Sequence, residues 1–141
     1  MKTDRTIFSA LCAVALLLSV AACATAPRAP GACLYTQGTD FFMGRSVASG
    51  DNVSDADWEA FLAEVVHDQY KGLTVFDATG YWEGKREPTK VMTILHHGAA
   101  ADHRKLDAIA AEYAKRFRQQ AVLRADYETC ATLVGAKGPL K

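Results

Sequence analysis

An uncharged stretch near the N-terminus, residues 7–22, decides which part of this chain can form a folded domain. The residues before it carry Lys2 and Arg5 against a single Asp4, and a basic start followed by an apolar run is typical of an export signal. A membrane-spanning helix needs about 20 apolar residues, and this run ends short of that length. Residues 1–22 are therefore predicted to be a removable signal peptide, which leaves a mature chain of 119 residues.

The end of this signal, Val20-Ala21-Ala22-Cys23, resembles the lipobox of bacterial lipoproteins. In such proteins cleavage falls just before the cysteine, whose thiol receives a diacylglyceryl group, and the mature N-terminus carries fatty acyl chains such as palmitate. The resemblance implies that Cys23 is the lipid attachment site and that the membrane is a partner through this lipid, since two or more chains give stable anchoring. An ordinary secretory signal with an incidental Cys23 is the alternative.

The residues after the signal predict an address and a domain plan. Ala24, rather than Asp, follows the cysteine, and by resemblance to the enterobacterial sorting pattern this implies the outer membrane of the cell envelope, facing the periplasm. Residues 23–32 are rich in Ala and Pro and are predicted to be a flexible tether. A single α+β domain is expected over residues 33–134, with a flexible C-terminal tail over 135–141.

The charge balance of the mature chain excludes one class of partner. Without the signal peptide, 14 basic and 15 acidic residues remain, a net charge of −1 with neutral histidines. A nucleic-acid-binding domain needs a basic patch or stripe, and none is visible. We therefore expect no nucleic-acid partner.

Cys33 and Cys130 are the cysteines that remain once Cys12 is assigned to the signal and Cys23 to the lipid. Two cysteines near opposite ends of a domain in an oxidising compartment favour a disulfide. Closing a loop of roughly 100 residues stabilises a fold by about 4 to 5 kcal/mol in the chain-entropy model. Two buried, unpaired thiols are the alternative, and no second ligand pair at zinc spacing accompanies these cysteines.

Hydrophobic periodicity predicts two helices and four strands. A first strand is expected from Leu34 to Met43, and Ser54 is a helix N-cap followed by apolar residues at helical spacing up to Gly72. The remaining predicted elements are a second strand over residues 73–78 extending toward Trp82, a turn at Glu83-Gly84-Lys85, a third strand from Thr89 to His96, a helix capped by Asp102 with Leu106, Ile109, Ala110, Tyr113 and Phe117 on its apolar face, and a fourth strand from Gln120 to Tyr127.

This order of elements, β-α-β-β-α-β, is that of a ferredoxin-like fold, an antiparallel sheet with two helices on one face. In that fold the first and last strands lie side by side and antiparallel, so the start of the first meets the end of the last. Cys33 and Cys130 occupy these two places. Element order and cysteine position therefore agree on the same α+β fold.

Several segments resemble the bacterial DUF3574 family, small and often lipoprotein-like domains of unknown function. The similarity covers roughly Leu34 to Cys130, and its most specific piece is the second-strand block from Gly72 to Trp82. The chain departs from the family pattern at Tyr81, where Gln is expected, and Pro88 is expected to shorten the pairing of the third strand. The resemblance brings no catalytic residue and no cofactor. The segments that carry it are Ser54-x-x-x-Trp58-x-x-Phe61, Gly72-Leu73-Thr74-Val75-x-Asp77-Ala78-x-Gly80-x-Trp82, Lys90-Val91 and Tyr113-x-x-x-Phe117-x-Gln119-x-x-Val122-Leu123.

Candidate ligand-binding residues lie at the hairpin and at the end of the third strand. Arg86 and Glu87 beside Trp82 suit a polar pocket, with Arg for an anionic ligand and Trp for stacking; a solvated turn with a packed aromatic is the alternative. His96 and His97 are adjacent on a strand, so they point to opposite faces and cannot easily share a metal, even with His103 nearby. No metal site and no catalytic set is predicted. The candidate pocket comprises Trp82, Arg86, Glu87, His96 and His97, and its ligand is left open.

The third strand is apolar on both faces, with Val91 and Leu95 on one and Met92 and Ile94 on the other. Helices cover only one face of a ferredoxin-like sheet, so a homodimer is the expected cover for the second. The leading hypothesis is a non-enzymatic, envelope-anchored binding or interaction module that dimerises through its sheet. The alternative is a small enzyme of the dimeric α/β-barrel kind with a pocket near the hairpin. A deep pocket that contains Arg86, His96 or His97 among convergent polar groups would favour the enzyme, and a flat apolar sheet would favour the module.

Overall fold

The computed structural model describes residues 33–136 and 138–139. The predicted signal peptide, Cys23 and the tether over residues 23–32 lie outside the described residues. Within the described part of the chain, no helix is long and apolar enough to cross a membrane. The elements are β1 (Tyr35–Gly44), α1 (Asp55–Phe61) continued by a π-helical segment (Leu62–Val66), β2 (Thr74–Trp82), β3 (Lys85–His96), α2 (Ala100–Arg116), β4 (Leu123–Ala131), β5 (Val134–Gly135) and β6 (Gly138–Pro139).

The first four strands form one antiparallel sheet in the order β2-β3-β1-β4. Both helices share one hydrophobic core with the side chains of β1 and β3. The α+β class predicted from the sequence is therefore confirmed. The fully buried members of this core with the largest side chains are Trp58, Tyr113, Phe41, Phe61, Met43, Met92, Ile94, Leu106 and Ile109.

The first helix starts where the sequence predicts but ends earlier. The Ser54 hydroxyl accepts a hydrogen bond from the Asp57 backbone N–H at 3.1 Å, as expected of an N-cap. The helix then widens into a π-helical turn, in which the His67 N–H reaches the Leu62 carbonyl at 2.9 Å, and it stops at Val66 instead of Gly72. The end at Val66 coincides with the last of the apolar residues at helical spacing, and Tyr70, in the turn that follows, also packs into the core.

The hairpin between β2 and β3 is tighter than predicted. Its two turn residues, Glu83 and Gly84, both have positive φ, 49° and 76°, which is the signature of the two-residue turn favoured between twisted strands. β3 consequently begins at Lys85 rather than Thr89, and Pro88 lies inside it opposite Thr79. The expected shortening is wrong. The Pro88 carbonyl accepts the Arg45 N–H, just beyond the last paired residue of β1, so the backbone polar groups of Pro88 point away from β2. The N–H that proline lacks therefore removes no hydrogen bond to β2.

The second helix and the fourth strand are each shifted from their predicted starts. The N-cap is Ala99, and Asp102 lies in the first turn, where its carboxylate accepts the Ala99 N–H at 3.1 Å. β4 starts at Leu123 instead of Gln120, because the Gln119 side chain bonds the Ser46 carbonyl at 2.9 Å and Arg118 turns the chain with φ 53°. The predicted tail at 135–141 begins inside a short strand pair rather than in free chain, since β5 pairs with β6.

A disulfide joins Cys33 to Cys130, as their positions predict. Their Cα atoms are 4.9 Å apart, within the usual range for a bridge. Beside it, the Leu34 N–H donates to the Ala131 carbonyl at 2.7 Å. The bridge therefore ties the chain two residues before β1 to the last-but-one residue of β4.

The two faces of the sheet differ in cover. We call the side packed against the helices the covered face; it carries Thr39, Phe41, Met43, Met92, Ile94 and His96. On the other side, the open face, strand register aligns Phe76, Val91, Phe42 and Leu123 in one row across all four strands. Phe76 is 52% exposed, Phe42 38% and Leu123 63%, whereas Val91 is only 4% exposed, so this apolar row is open to solvent at three of its four positions.

Candidate functional site

A cavity of about 230 Å³ opens at the end of β3, beside the start of β1 and the first turn of α2. Its walls combine aromatic rings with charged and amide groups. Sites for drug-sized ligands usually measure about 300–1,000 Å³, so this cavity suits a small molecule or one group of a larger molecule. It is lined by Tyr35, Gln69, Tyr70, Lys71, Gly72, Leu95, His96, His97 and Asp102.

His96 forms part of this wall and is itself buried, with 2% of its surface exposed. It lies on the covered face because strand alternation places it in register with Met92 and Ile94. The Gly98 N–H donates to His96 Nδ1 at 3.1 Å, and Nε2 lies 3.0 Å from the Thr39 hydroxyl. Both ring nitrogens are therefore engaged by the protein.

The Thr39 hydroxyl connects His96 to a charged cluster on β4. It donates to Asp126 Oδ1 at 2.6 Å, and Arg124 Nε donates to the same oxygen at 2.9 Å. Arg124 also donates to Asp107 Oδ1 at 2.6 Å and lies 2.7 Å from His103 Nδ1. These bonds hold the pKa of Asp126 below its usual range against the opposing effect of burial, so the carboxylate is ionised at neutral pH.

Asp102 places a second carboxylate beside the imidazole. Its Oδ2 lies 3.8 Å from His96 Nδ1. Burial lowers the pKa of His96 from its ordinary 6.5, the effect of Asp102 opposes this, and the net direction is downward. Burial likewise raises the pKa of Tyr70 to about 12, and the Tyr70 hydroxyl donates to the Asp102 carbonyl at 3.3 Å. At neutral pH the cavity thus presents a neutral imidazole at His96 and a neutral phenol at Tyr70.

His97 follows β3, which ends at His96, and its ring centroid lies 5.3 Å from that of Tyr35. His103 approaches His96 edge-on with ring centroids 5.7 Å apart. Among the described residues, no three His, Cys, Asp or Glu side chains are grouped so as to hold a metal ion. The histidines therefore contribute hydrogen bonds and ring contacts at this end of β3.

The five residues predicted to share a pocket lie at opposite ends of β3. Trp82 is 56% exposed at the hairpin, where Arg86 Nη2 donates to the Thr79 hydroxyl at 3.3 Å. The Glu87 carboxylate lies over Gly44 on the open face, where a Cβ on that glycine would meet Oε2 at 2.6 Å. Ten strand positions at about 3.3 Å each separate Arg86 from His96. Of the five, only His96 and His97 line the same cavity.

Sequence reasoning missed the partners of His96. Thr39 was part of a weak strand pattern, and Arg124 and Asp126 alternate along β4 in a way that normally marks a solvent-facing side. The one usable signal was His96 itself, because it continues the core-facing alternation of Met92 and Ile94. A core position occupied by an imidazole requires buried hydrogen-bond partners.

The described elements place the protein among α+β domains in which two helices pack on one face of a four-stranded antiparallel sheet. The chain belongs to the DUF3574 family, described as a protein of unknown function, whose model matches residues 38–133. This confirms the family predicted from the sequence. No curated protein gives a significant match to the chain.

Two solved structures share this architecture. One is a phage SAM lyase in complex with S-methyl-5'-thioadenosine, with a TM-score of 0.52 and 16% identity, covering 68% of this chain and 90% of the lyase chain. The other is a phage SAM lyase in the apo state, with a TM-score of 0.53 and 16% identity, covering 72% and 85%. At this identity the likeness concerns the fold alone.

This comparison corrects the leading functional hypothesis. The expectation of a non-enzymatic binding or interaction module is wrong, because the similar solved structures have the fold of an enzyme. The hypothesis failed because it was argued from the apolar strands alone, which report on packing and not on chemistry. His96 and His97 line a cavity that also contains polar groups, which is the part of the chosen observation that favours the alternative, a small enzyme. That cavity lies at the end of β3 opposite the hairpin, where the pocket was expected.

Proposed function

We propose that this domain is a small enzyme that uses acid–base chemistry at the cavity beside His96. One observation carries the proposal: a buried imidazole, held by hydrogen bonds at both nitrogens, forms part of the wall of a cavity. A general base must be neutral at the operating pH and fixed in orientation. His96 meets both conditions, because burial lowers its pKa and Thr39 and Gly98 fix the ring.

The other groups in the cavity have roles that follow from their charge and shape. Asp102 stabilises the imidazolium that forms when His96 takes a proton, since its carboxylate is 3.8 Å from Nδ1. Tyr35 and Tyr70 offer ring surfaces to an apolar or aromatic part of the substrate. For a first substrate class we choose adenosyl sulfur compounds, because the phage lyase of the same architecture is complexed with S-methyl-5'-thioadenosine.

We assign the finer topology to the ferredoxin-like fold, the expectation from the sequence. Support comes from the antiparallel order β2-β3-β1-β4 and from the element order β-α-β-β-α-β. In this fold α2 follows β3, so the end of β3 and the first turn of α2 meet at one end of the sheet. His96 and Asp102 come together for that reason.

The test measures binding of S-methyl-5'-thioadenosine and S-adenosylmethionine to the purified protein by calorimetry, with products followed by mass spectrometry. We expect saturable binding that Asp102→Asn weakens by about tenfold, as loss of one charged contact of roughly 1.4 kcal/mol would do. Turnover should be lost in His96→Phe. Trp82→Ala, at the far hairpin, is the matched control and should bind like the unaltered protein.

Two outcomes would contradict the proposal. If Trp82→Ala or Arg86→Ala weakens binding and Asp102→Asn does not, the site lies at the hairpin. If neither adenosyl compound binds at millimolar concentration, the substrate class is wrong.

We further propose that the domain is anchored by a lipid on Cys23 to the outer membrane, facing the periplasm. The support is the Val20-Ala21-Ala22-Cys23 sequence with Ala24 after it. Cys23→Ser should release the protein from the membrane fraction and remove the acyl mass of the N-terminal peptide. Unchanged fractionation with no loss of acyl mass would contradict the anchor. The homodimer expected from the apolar strands stays a prediction.

A further inference from the structure

We infer that Thr39 and Asp126 are positioning residues that hold the proton of neutral His96 on Nε2 and so make Nδ1 its basic atom. The catalytic meaning of this inference rests on the function proposed above. Its physical content, the position of one proton, does not depend on any substrate.

At one end of the chain, the partner of the imidazole can act only as a donor. The Gly98 backbone N–H lies 3.1 Å from His96 Nδ1, and a backbone N–H has no lone pair to offer. Nδ1 must therefore carry a lone pair in this arrangement. In the neutral ring the single proton then lies on Nε2.

At the other end, the partner can act only as an acceptor. Asp126 is ionised, and its Oδ1 lies 2.6 Å from the Thr39 hydroxyl, which must donate its proton there. The Thr39 oxygen is then left to accept from His96 Nε2 at 3.0 Å. Thr39 is fully buried, so bulk water does not compete for this bond.

The charged groups around the ring support this assignment. Arg124 donates to Asp126 at 2.9 Å and fixes the carboxylate that ends the chain. Arg124 Nη2 also lies 2.7 Å from His103 Nδ1, so His103 offers a lone pair to the guanidinium. From α2, the Asp102 carboxylate is the group that faces the Nδ1 side, at 3.8 Å.

Proton uptake would have a defined local consequence. A proton moving from the substrate to Nδ1 leaves its electron pair on the substrate and turns Nδ1 into a donor. The Gly98 N–H, also a donor, can no longer face it, and Asp102 Oδ2 becomes the nearest acceptor. The Nε2–H bond to Thr39 is kept throughout, and Asp126 stabilises the imidazolium without taking a proton.

The experiment is nitrogen-15 NMR of the whole protein labelled in its histidines, recorded across a pH titration. We expect neutral His96 to show the Nε2–H form, with a Nε2 proton protected from exchange. Thr39→Val should abolish that protection. Asp126→Asn, at a partly exposed position, keeps an acceptor for Thr39 but removes the negative charge, so it should lower the pKa of His96.

Thr93→Val is the matched control. Thr93 donates to Asp40 at 2.7 Å on the open face, so the variant removes an equivalent Thr–Asp bond without touching His96. Its His96 signals should stay unchanged. A role of Thr39 in packing alone would leave the Nε2 proton equally protected in Thr39→Val, because valine keeps the shape of threonine and removes only the hydroxyl.

Two results would overturn the inference: an Nδ1–H form in the unaltered protein, or an unchanged His96 pKa in Asp126→Asn. Should Thr39→Val not fold, the form of neutral His96 in the unaltered protein, Nε2–H or Nδ1–H, still decides the outcome. Because the measurement needs no ligand, an Nε2–H form in a protein that binds neither adenosyl compound would reject the proposed function alone. Binding with turnover but an Nδ1–H form would reject this inference alone.

Discussion

Each face of the sheet carries a hydrogen bond between a threonine and an aspartate, but the two bonds have different surroundings. On the covered face Thr39 donates to Asp126, and on the open face Thr93 donates to Asp40, at 2.6 and 2.7 Å. The first bond is linked to a buried imidazole, whereas the second is linked to the exposed Tyr127 hydroxyl at 3.3 Å. A Thr–Asp bond gains a chemical role only where burial couples it to a titratable group.

The apolar residues of β1 show the same contrast. Phe41 is fully buried in the core, whereas its neighbour Phe42 is 38% exposed on the open face. Strand alternation alone separates the two rings. The core that holds the fold therefore lies on one side of the sheet, and the open face contributes less to stability.

The largest expected effect tests this difference directly. Phe41→Ala should lower the free energy of unfolding by about 3–5 kcal/mol, because it removes a core ring and leaves a cavity. Phe42→Ala, one residue away, should cost only about 1–2 kcal/mol, in proportion to its smaller buried area. Chemical denaturation followed by circular dichroism measures both. Equal losses would mean that the open face is covered in solution.

The next effect concerns the disulfide. It holds β4 in place, and the side chains of β4 lie on both faces of the sheet. Cys130→Ala should lower the free energy of unfolding by about 2–4 kcal/mol, since the unfolded chain is no longer restricted by a 97-residue separation. The unaltered protein should also run faster on a non-reducing gel than after reduction. Identical mobility in the two lanes would contradict the bridge.

The apolar core on the covered face was largely predictable from the sequence, but the hydrogen-bonded groups around His96 at the end of that face were not. Helical spacing identified Leu106, Ile109 and Tyr113 as core residues, and all three are buried. Local patterns suffice for such positions, because each helix carries its own periodic signal. The Ser54 cap was predictable because it depends on a local pattern. The cysteine pair was predictable because the order of the strands places its two members side by side.

The site required contacts that no local pattern contains. The partners of His96 lie on other strands and on either side of it along the chain: Thr39 is 57 residues from His96, and Asp126 is 87 residues from Thr39. The five-residue pocket failed for a related reason, because Arg86 and His96 share one long strand. Extended backbone carries such residues apart, and only turns or neighbouring strands bring them together.

A smaller effect is the pH dependence expected from His96. Burial lowers its folded-state pKa below the ordinary 6.5, so as the pH falls the unfolded chain takes up this proton first. Stability from this group should therefore be present above about pH 6.5 and decline as the pH falls, by at most about 1.4 kcal/mol per pH unit, until folded His96 is also protonated. His96→Gln should remove this component of the slope measured by denaturation between pH 5 and 8, whereas His67→Gln, at an exposed position, should retain it.

The smallest effect concerns Tyr127 on the open face. Its ring lies over Gly38, where a Cβ would be 2.4 Å from Cε2, so Gly38→Ala must push the ring toward solvent. The ring is already partly exposed, so the loss of stability should stay within about 1 kcal/mol, close to the worth of its single hydrogen bond to Asp40. The pKa of Tyr127 is raised by burial and by Asp40, and displacement should return it toward its ordinary value. NMR titration of the Tyr127 ring measures this change, with Gly72→Ala as the control, because a Cβ there meets open space. An unchanged Tyr127 pKa in Gly38→Ala would show that the ring does not lie across β1, and the contrast between the two faces would then rest on Phe41 and Phe42 alone.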